Sequence, residues 1–238
     1  MKIRRIPITL ALVATCLLMI SCSKKKDDNS GTGNPAGTEV VPLKTGDWWK
    51  YKVETLLGDY SDYTYQVSVT GTKTVTLKGS PVTLYGLKIS SPPDSLIQAD
   101  TTLNYYKNQA DGFYCYGKAD SDTIKPALLY KYPVSEGETW IFSQDGITVN
   151  LKCISKNAWF STPLGSFNCI KYYLKTSLDK ALLSGMRPAE GLRPASRSGM
   201  DFFQYVYCTP GTGIIGEEMM MDTLMYARES LIQIHLEP

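Results

Sequence analysis

Residues able to do chemistry are sparse in this chain, and their spacing argues against most reactions they suggest. His235 is the only histidine among 238 residues, so neither a Ser-His-Asp triad nor a multi-histidine zinc site has the members it needs. Gly211-Thr212-Gly213-Ile214-Ile215-Gly216 satisfies Gly-x-Gly-x-x-Gly. A dinucleotide site also needs a strand before, a helix after and an acid about 20 residues on. Only 22 residues follow Gly216, and Met219 to Leu224 reads as a hairpin. Paired acids at Asp120/Asp122, Glu136/Glu138 and Glu217/Glu218 have the composition for acid–base work such as glycoside hydrolysis. They fall in turns or at strand ends, where solvated charge is ordinary. No catalytic residue, cofactor site or metal site is therefore assigned, no cofactor is expected, and the chain reads as a non-enzyme.

The cysteines carry more information. Met1-Lys2-Ile3-Arg4-Arg5 is a basic start, Ile6 to Ile20 is an apolar run, and Ser21-Cys22 closes it. A permanent transmembrane helix needs about 20 apolar residues, and these flanks are those of a secretion signal. The stretch Met19-Ile20-Ser21-Cys22 resembles the lipobox of Gram-negative lipoproteins, with Met19 where that motif usually has Leu. The resemblance implies a signal peptide over 1–21, cleavage before Cys22, acylation of Cys22 with fatty chains such as palmitate, and an outer-membrane lipid anchor facing the periplasm or the surface. Removing residues 1–21 takes away Lys2, Arg4 and Arg5 and no acid, so the +2 of the whole chain becomes −1. A nucleic-acid partner wants a basic stripe, and none is present. Cys115, Cys153, Cys169 and Cys208 remain, each in a strand-like run. An oxidising envelope permits disulfides among them in three pairings, and buried thiols are the equal alternative. No Cys-x-x-Cys spacing occurs.

Residues 22–39 form a lipidated, polar, Gly- and Ser-rich tether reaching roughly 20–25 Å. From Val40 to the end at 238, runs such as Thr64 to Val69 and Ile147 to Cys153 alternate with period two and are rich in Val, Ile, Thr and Tyr. Gly71, Gly79, Asp111-Gly112, Asp145-Gly146 and Pro210-Gly211 punctuate them. The one helical candidate is Ser177 to Met186. Arg187 to Arg197 reads as a long loop holding three of the mature chain's four arginines. Asp-Ser/Thr-apolar triplets mark Ser95, Thr101, Thr123 and Thr223 as candidate O-glycosylation sites.

Pro42-x-x-x-Gly46-Asp47-x-Trp49-x-Tyr51 repeats as Pro133-x-x-x-Gly137-Glu138-x-Trp140-x-Phe142. Tyr106 with Asp111-Gly112-Phe113 parallels Tyr207 with Gly211 to Ile214. Approximate repeats over 40–130 and 131–220, with final strands to 236, indicate a duplicated unit in which Trp49 and Trp140 hold equivalent places. Gly46-Asp47-x-Trp49, Thr162-Pro163-x-Gly165-x-Phe167-x-Cys169 and Tyr207-x-x-Pro210-Gly211-x-Gly213-Ile214 resemble a β-repeat domain of Gram-negative envelope lipoproteins. At one further remove that family resembles the open half-barrels of lipoprotein carriers.

The expected fold is mainly all-β: a curved antiparallel sheet or incomplete barrel from a duplicated unit, with at most one or two short helices. Its concave face is expected to be apolar and partly open, holding an apolar or amphipathic ligand. Aromatic clusters at Tyr60/Tyr63/Tyr65, Tyr105 to Tyr116 and Phe202 to Tyr207 offer the alternative of a glycan-binding or adhesion module, although cross-strand pairing is the favoured explanation of such rows. A structural envelope component is a third reading.

Overall fold

The computed structural model describes residues 39–56, 61–91, 103–118, 125–144, 147–176 and 202–237. The signal peptide, Cys22 and most of the tether, the helical candidate 177–186 and the Arg187 to Arg197 loop lie outside them.

The alternating runs form twelve strands: β1 (Trp48–Thr55), β2 (Tyr63–Leu77), β3 (Ser80–Ser90), β4 (Asn104–Gln109), β5 (Gly112–Cys115), β6 (Ala127–Lys131), β7 (Thr139–Gln144), β8 (Ile147–Thr162), β9 (Gly165–Thr176), β10 (Phe202–Thr209), β11 (Gly213–Met221) and β12 (Leu224–His235). Among the described residues there is no helix. All strands join one antiparallel sheet in the order β6-β5-β4-β3-β2-β1-β12-β11-β10-β9-β8-β7. This is two six-strand meanders side by side, the first strand of one paired with the last of the other. A twisted sheet of this width tends to curl or close, and here it comes nearly into a barrel.

The repeated motif takes the same conformation in both halves. Gly46 N–H donates to Val69 O at 3.0 Å and Val69 N–H to Asp47 O at 2.8 Å; Gly137 N–H donates to Cys153 O at 2.8 Å and Cys153 N–H to Glu138 O at 2.9 Å. In each turn the acid's side chain accepts the backbone N–H three residues earlier, Lys44 at 2.7 Å and Ser135 at 3.0 Å. Gly46 and Gly137 supply the left-handed φ of 103° and 83° that the turn needs. Three residues after each glycine, Trp49 faces Val67 and Trp140 faces Leu151, which are equivalent registers.

Bulges then hand the alternation from one face to the other. Val67 and Val69 point into the main core. After the register shift between Val69 and Gly71, Val75 and Leu77 join a second cluster with Leu84, Tyr105, Tyr114 and Tyr116 on the outer face. In the second half, shifts between Cys153 and Ala158 carry the β8–β9 hairpin across the outer face of β10–β12. There Phe160 packs on Tyr207, with ring centroids 4.5 Å apart. Gly216 lies beneath, where a Cβ would overlap the Phe160 ring.

The edge strands β6 and β7 meet through side chains. Trp140 Nε1 donates to Leu129 O at 3.3 Å, Tyr172 O–H donates to Lys131 O at 2.8 Å, and Lys131 pairs with Glu138. Inside this seam runs a chain of rings, Tyr106, Phe113, Tyr130, Tyr172 and Trp140, with successive centroids 5.3, 6.4, 5.3 and 5.8 Å apart.

One end of the barrel is plugged. Val40, Val41 and Leu43 are buried. Glu39 O accepts Gly211 N–H at 2.7 Å, and Val41 O accepts the Asn108 amide. The segment that leads in from the tether thus crosses between the β10–β11 and β4–β5 turns. Asp47 is fully buried and accepts Glu237 N–H at 2.8 Å, tying the C-terminus to the same end. Thr55, Ser90, Cys115, Gln144, Thr176 and Met221 end their strands at the opposite end.

Candidate binding site

Along β12 the inward positions are Ala227, Glu229 and Leu231, and along β11 they include Glu217 and Met219. Two of these inward places carry carboxyls. Glu217 and Glu229 are direct cross-strand partners, 0% and 1% exposed. Tyr65 O–H, reaching in from β2, donates to Glu229 Oε2 at 2.6 Å. Gln204 Nε2, from β10, donates to Glu217 Oε2 at 3.2 Å. Glu217 Oε1 and Glu229 Oε1 are buried and have no hydrogen-bond partner. Tyr51 stacks on Tyr65 with centroids 5.3 Å apart and donates to Ile214 O at 3.2 Å.

This setting penalises negative charge. Burial, and then the charge of Glu229, holds the Glu217 carboxyl well above the usual carboxylate range. Burial pushes Glu229 up to about 7, against the opposing hydrogen bond from Tyr65. The neighbouring phenols respond in the same sense: burial and the nearby carboxyls raise Tyr65 and Tyr63, and push Tyr226 up to about 12. Two carboxyls this dry, in cross-strand register, resist carrying two negative charges near neutrality. The arrangement offers two unmatched carboxyl oxygens within an aromatic wall.

The sequence pairing of Glu217 with Glu218 is corrected here. Neighbours on a strand face opposite ways, and Glu218 lies on the outer face, accepting Tyr207 O–H at 2.7 Å with Lys171 Nζ at 3.8 Å. Glu217 is not a solvated turn acid; its partner is Glu229. Sequence reasoning missed Glu229, although Ala227-x-Glu229-x-Leu231 sets it in phase with two apolar inward residues. Glu136 and Glu138 are turn staples. Glu136 accepts Lys156 N–H at 2.6 Å and Ser155 O–H at 3.1 Å, which lowers its pKa, while Lys131 and the Ser135 N–H lower that of Glu138. Asp120 and Asp122 lie outside the described residues.

The expected concave face is aromatic, with one polar feature. Trp49, Tyr51, Tyr65, Phe113, Tyr130 and Tyr172 are fully buried and line the inside of the sheet, and its polar feature is the glutamate pair. Cys115, Cys153, Cys169 and Cys208 are buried as thiols, not disulfides. Gly213 to Gly216 begin a strand, without the helix a dinucleotide motif needs. His235 stacks on Trp48, centroids 5.9 Å apart, beside Glu237 Oε1 at 3.1 Å. Thr223 is exposed in the β11–β12 turn; Ser95, Thr101 and Thr123 lie outside the described residues. Of the aromatic rows, Tyr65, Tyr106 and Phe113 turn into the core. Phe203 and Tyr205 pack outward on Tyr173, with Lys171 Nζ 3.9 Å from the Tyr205 ring centre.

No family model and no curated protein matches the chain. Two solved structures are similar. One is described as an exported protein with a YmcC-like fold from Bacteroides fragilis, at 11% identity and TM-score 0.47, covering 82% of this chain and 98% of that one. The other is described as a lipoprotein from Parabacteroides distasonis, at 14% identity and TM-score 0.46, covering 84% of this chain and 100% of that one.

Proposed function

We propose that this is a non-catalytic outer-membrane lipoprotein, anchored through acylated Cys22, whose barrel holds an amphipathic ligand. The observation that carries the reading is the Glu217–Glu229 pair, buried in an aromatic interior with one oxygen of each carboxyl unmatched. Buried polar groups are ordinarily hydrogen-bonded, and an apolar interior with a few convergent polar groups is the usual build of a small-molecule site. Native mass spectrometry of the lipoprotein released from its membrane tests this. A bound amphiphile on the wild type, diminished in the Glu217→Gln/Glu229→Gln double variant, is the expected result. A protein that carries its anchor and nothing else under every release condition contradicts it.

The outward ring cluster of Tyr173, Phe203 and Tyr205 under Lys171 supports a second reading, a glycan-binding surface. Glycan-array binding that disappears in Tyr205→Ala would favour it over the first.

A further inference from the structure

We propose that Glu217 and Glu229 receive a protonated amine, the head group of the amphipathic ligand proposed above, on which this inference rests. The geometry is that of a cation receptor. Two carboxyls stand in direct cross-strand register. Each already spends one oxygen on a neutral donor, Tyr65 or Gln204, and each keeps its second oxygen buried and unmatched. The polar groups around them are phenols and an amide: Tyr51 from β1, Tyr63 and Tyr65 from β2, Tyr130 from β6, Gln204 from β10 and Tyr226 from β12. Among the described residues, no lysine, arginine or histidine acts on either carboxyl.

A primary ammonium fits this setting on three counts. It carries N–H donors for both free oxygens, its charge offsets the pair, and ring faces such as those of Tyr51 and Tyr65 favour a cation. A hard divalent ion fits poorly, because calcium asks for six to eight oxygens and the described residues hold no cluster of three or more metal-ligating side chains. The pair lies near the strand ends away from the plug. Val53, opposite Glu229, is two residues from the β1 end at Thr55, and Glu217 is four from the β11 end at Met221. At strand rise that is roughly 7–14 Å from those strand ends.

Burial keeps the pair partly protonated near neutrality. The incoming ammonium binds the deprotonated form, and one proton leaves to solvent for each amine bound. Affinity for an amine charged at every pH tested therefore rises with pH, by up to about tenfold per unit while the pair is protonated.

Calorimetric titration of the full lipoprotein in lipid nanodiscs, with empty discs subtracted, tests this using octylamine, octanol, octanoate and calcium chloride between pH 6 and 8. The expected result is octylamine binding that strengthens with pH, falls at least tenfold in Glu217→Gln and in Glu229→Gln, and exceeds octanol and octanoate at least tenfold. Should either variant fail to fold, the pH slope on the wild type decides alone. Octanol or octanoate binding as tightly as the amine, with a flat slope, overturns the amine head group and leaves the amphiphile reading intact. Calcium binding that needs both glutamates, with octylamine silent, overturns it in favour of a metal. No binding by any of the three amphiphiles overturns both readings.

Discussion

Glu217 and Glu218 are adjacent in sequence and live in opposite media, one inside the barrel and one on its outer face against Tyr207 and Lys171. The buried pair has a pH signature of reversed sense from the usual carboxylate. Its folded pKa values lie above the unfolded value of 4.5, so the folded state binds more protons than the unfolded one. The contribution of Glu229 is fully present below about pH 4.5, declines above it, and is lost once pH has risen through about 7, and Glu217 acts in the same sense. The slope is about 1.4 kcal/mol per pH unit for each proton involved. Urea midpoints should fall between pH 5 and pH 8 in the wild type and fall less in Glu229→Gln, which should be the more stable protein at pH 8. A wild type as stable at pH 8 as at pH 5 would contradict the assignment. The sequence already held the clue to this pair, since Ala227, Glu229 and Leu231 share one phase of the strand. Its pairing was hidden, because only the β11–β12 register sets Glu217 opposite Glu229.

Trp49 and Trp140 occupy equivalent registers, yet Trp49 is fully buried and Trp140 is half-buried. The difference lies in the strands that carry them. β1 is laddered on both sides, by β2 and β12. β7 is laddered by β8, and its other flank meets β6 through side chains. β1 and β12 have 8 and 12 residues where their counterparts β7 and β6 have 6 and 5, so the second seam has too little strand to continue the sheet. Trp49→Ala should cost about 3–5 kcal/mol and Trp140→Ala clearly less, read from urea midpoints. Equal losses would remove this distinction. Strand content and the equivalent tryptophans were legible, because period two and a ten-residue motif are local signals. The bulges after Val69 and Cys153 were not, since a bulge is a property of two paired strands and leaves no fixed residue pattern in either. Those bulges decide which face Phe160 and Leu77 cover.

At the scale of the whole molecule, the end of the tether becomes the plug. Glu39 to Leu43 runs directly into the barrel mouth, so the proposed lipid on Cys22 would be tethered to the plugged end. Two or three acyl chains, at about 0.8 kcal/mol per buried methylene, make release negligible. Replacing Cys22 by Ser should therefore move the mature protein from the membrane fraction to the soluble one. Mature protein that stays membrane-bound without acylation would contradict the anchor. Closure is what dries the two carboxyls, so their titration reports on the whole barrel. Carbon-13 NMR of the side-chain carboxyls across pH 3 to 9 follows each glutamate separately, with Glu217→Gln and Glu229→Gln giving the assignments. Two glutamates should titrate well above the rest, Glu229 with a midpoint of about 7. If both titrate together with the surface glutamates, water reaches the pair, and the nearly closed barrel does not hold a dry, unmatched acidic pair.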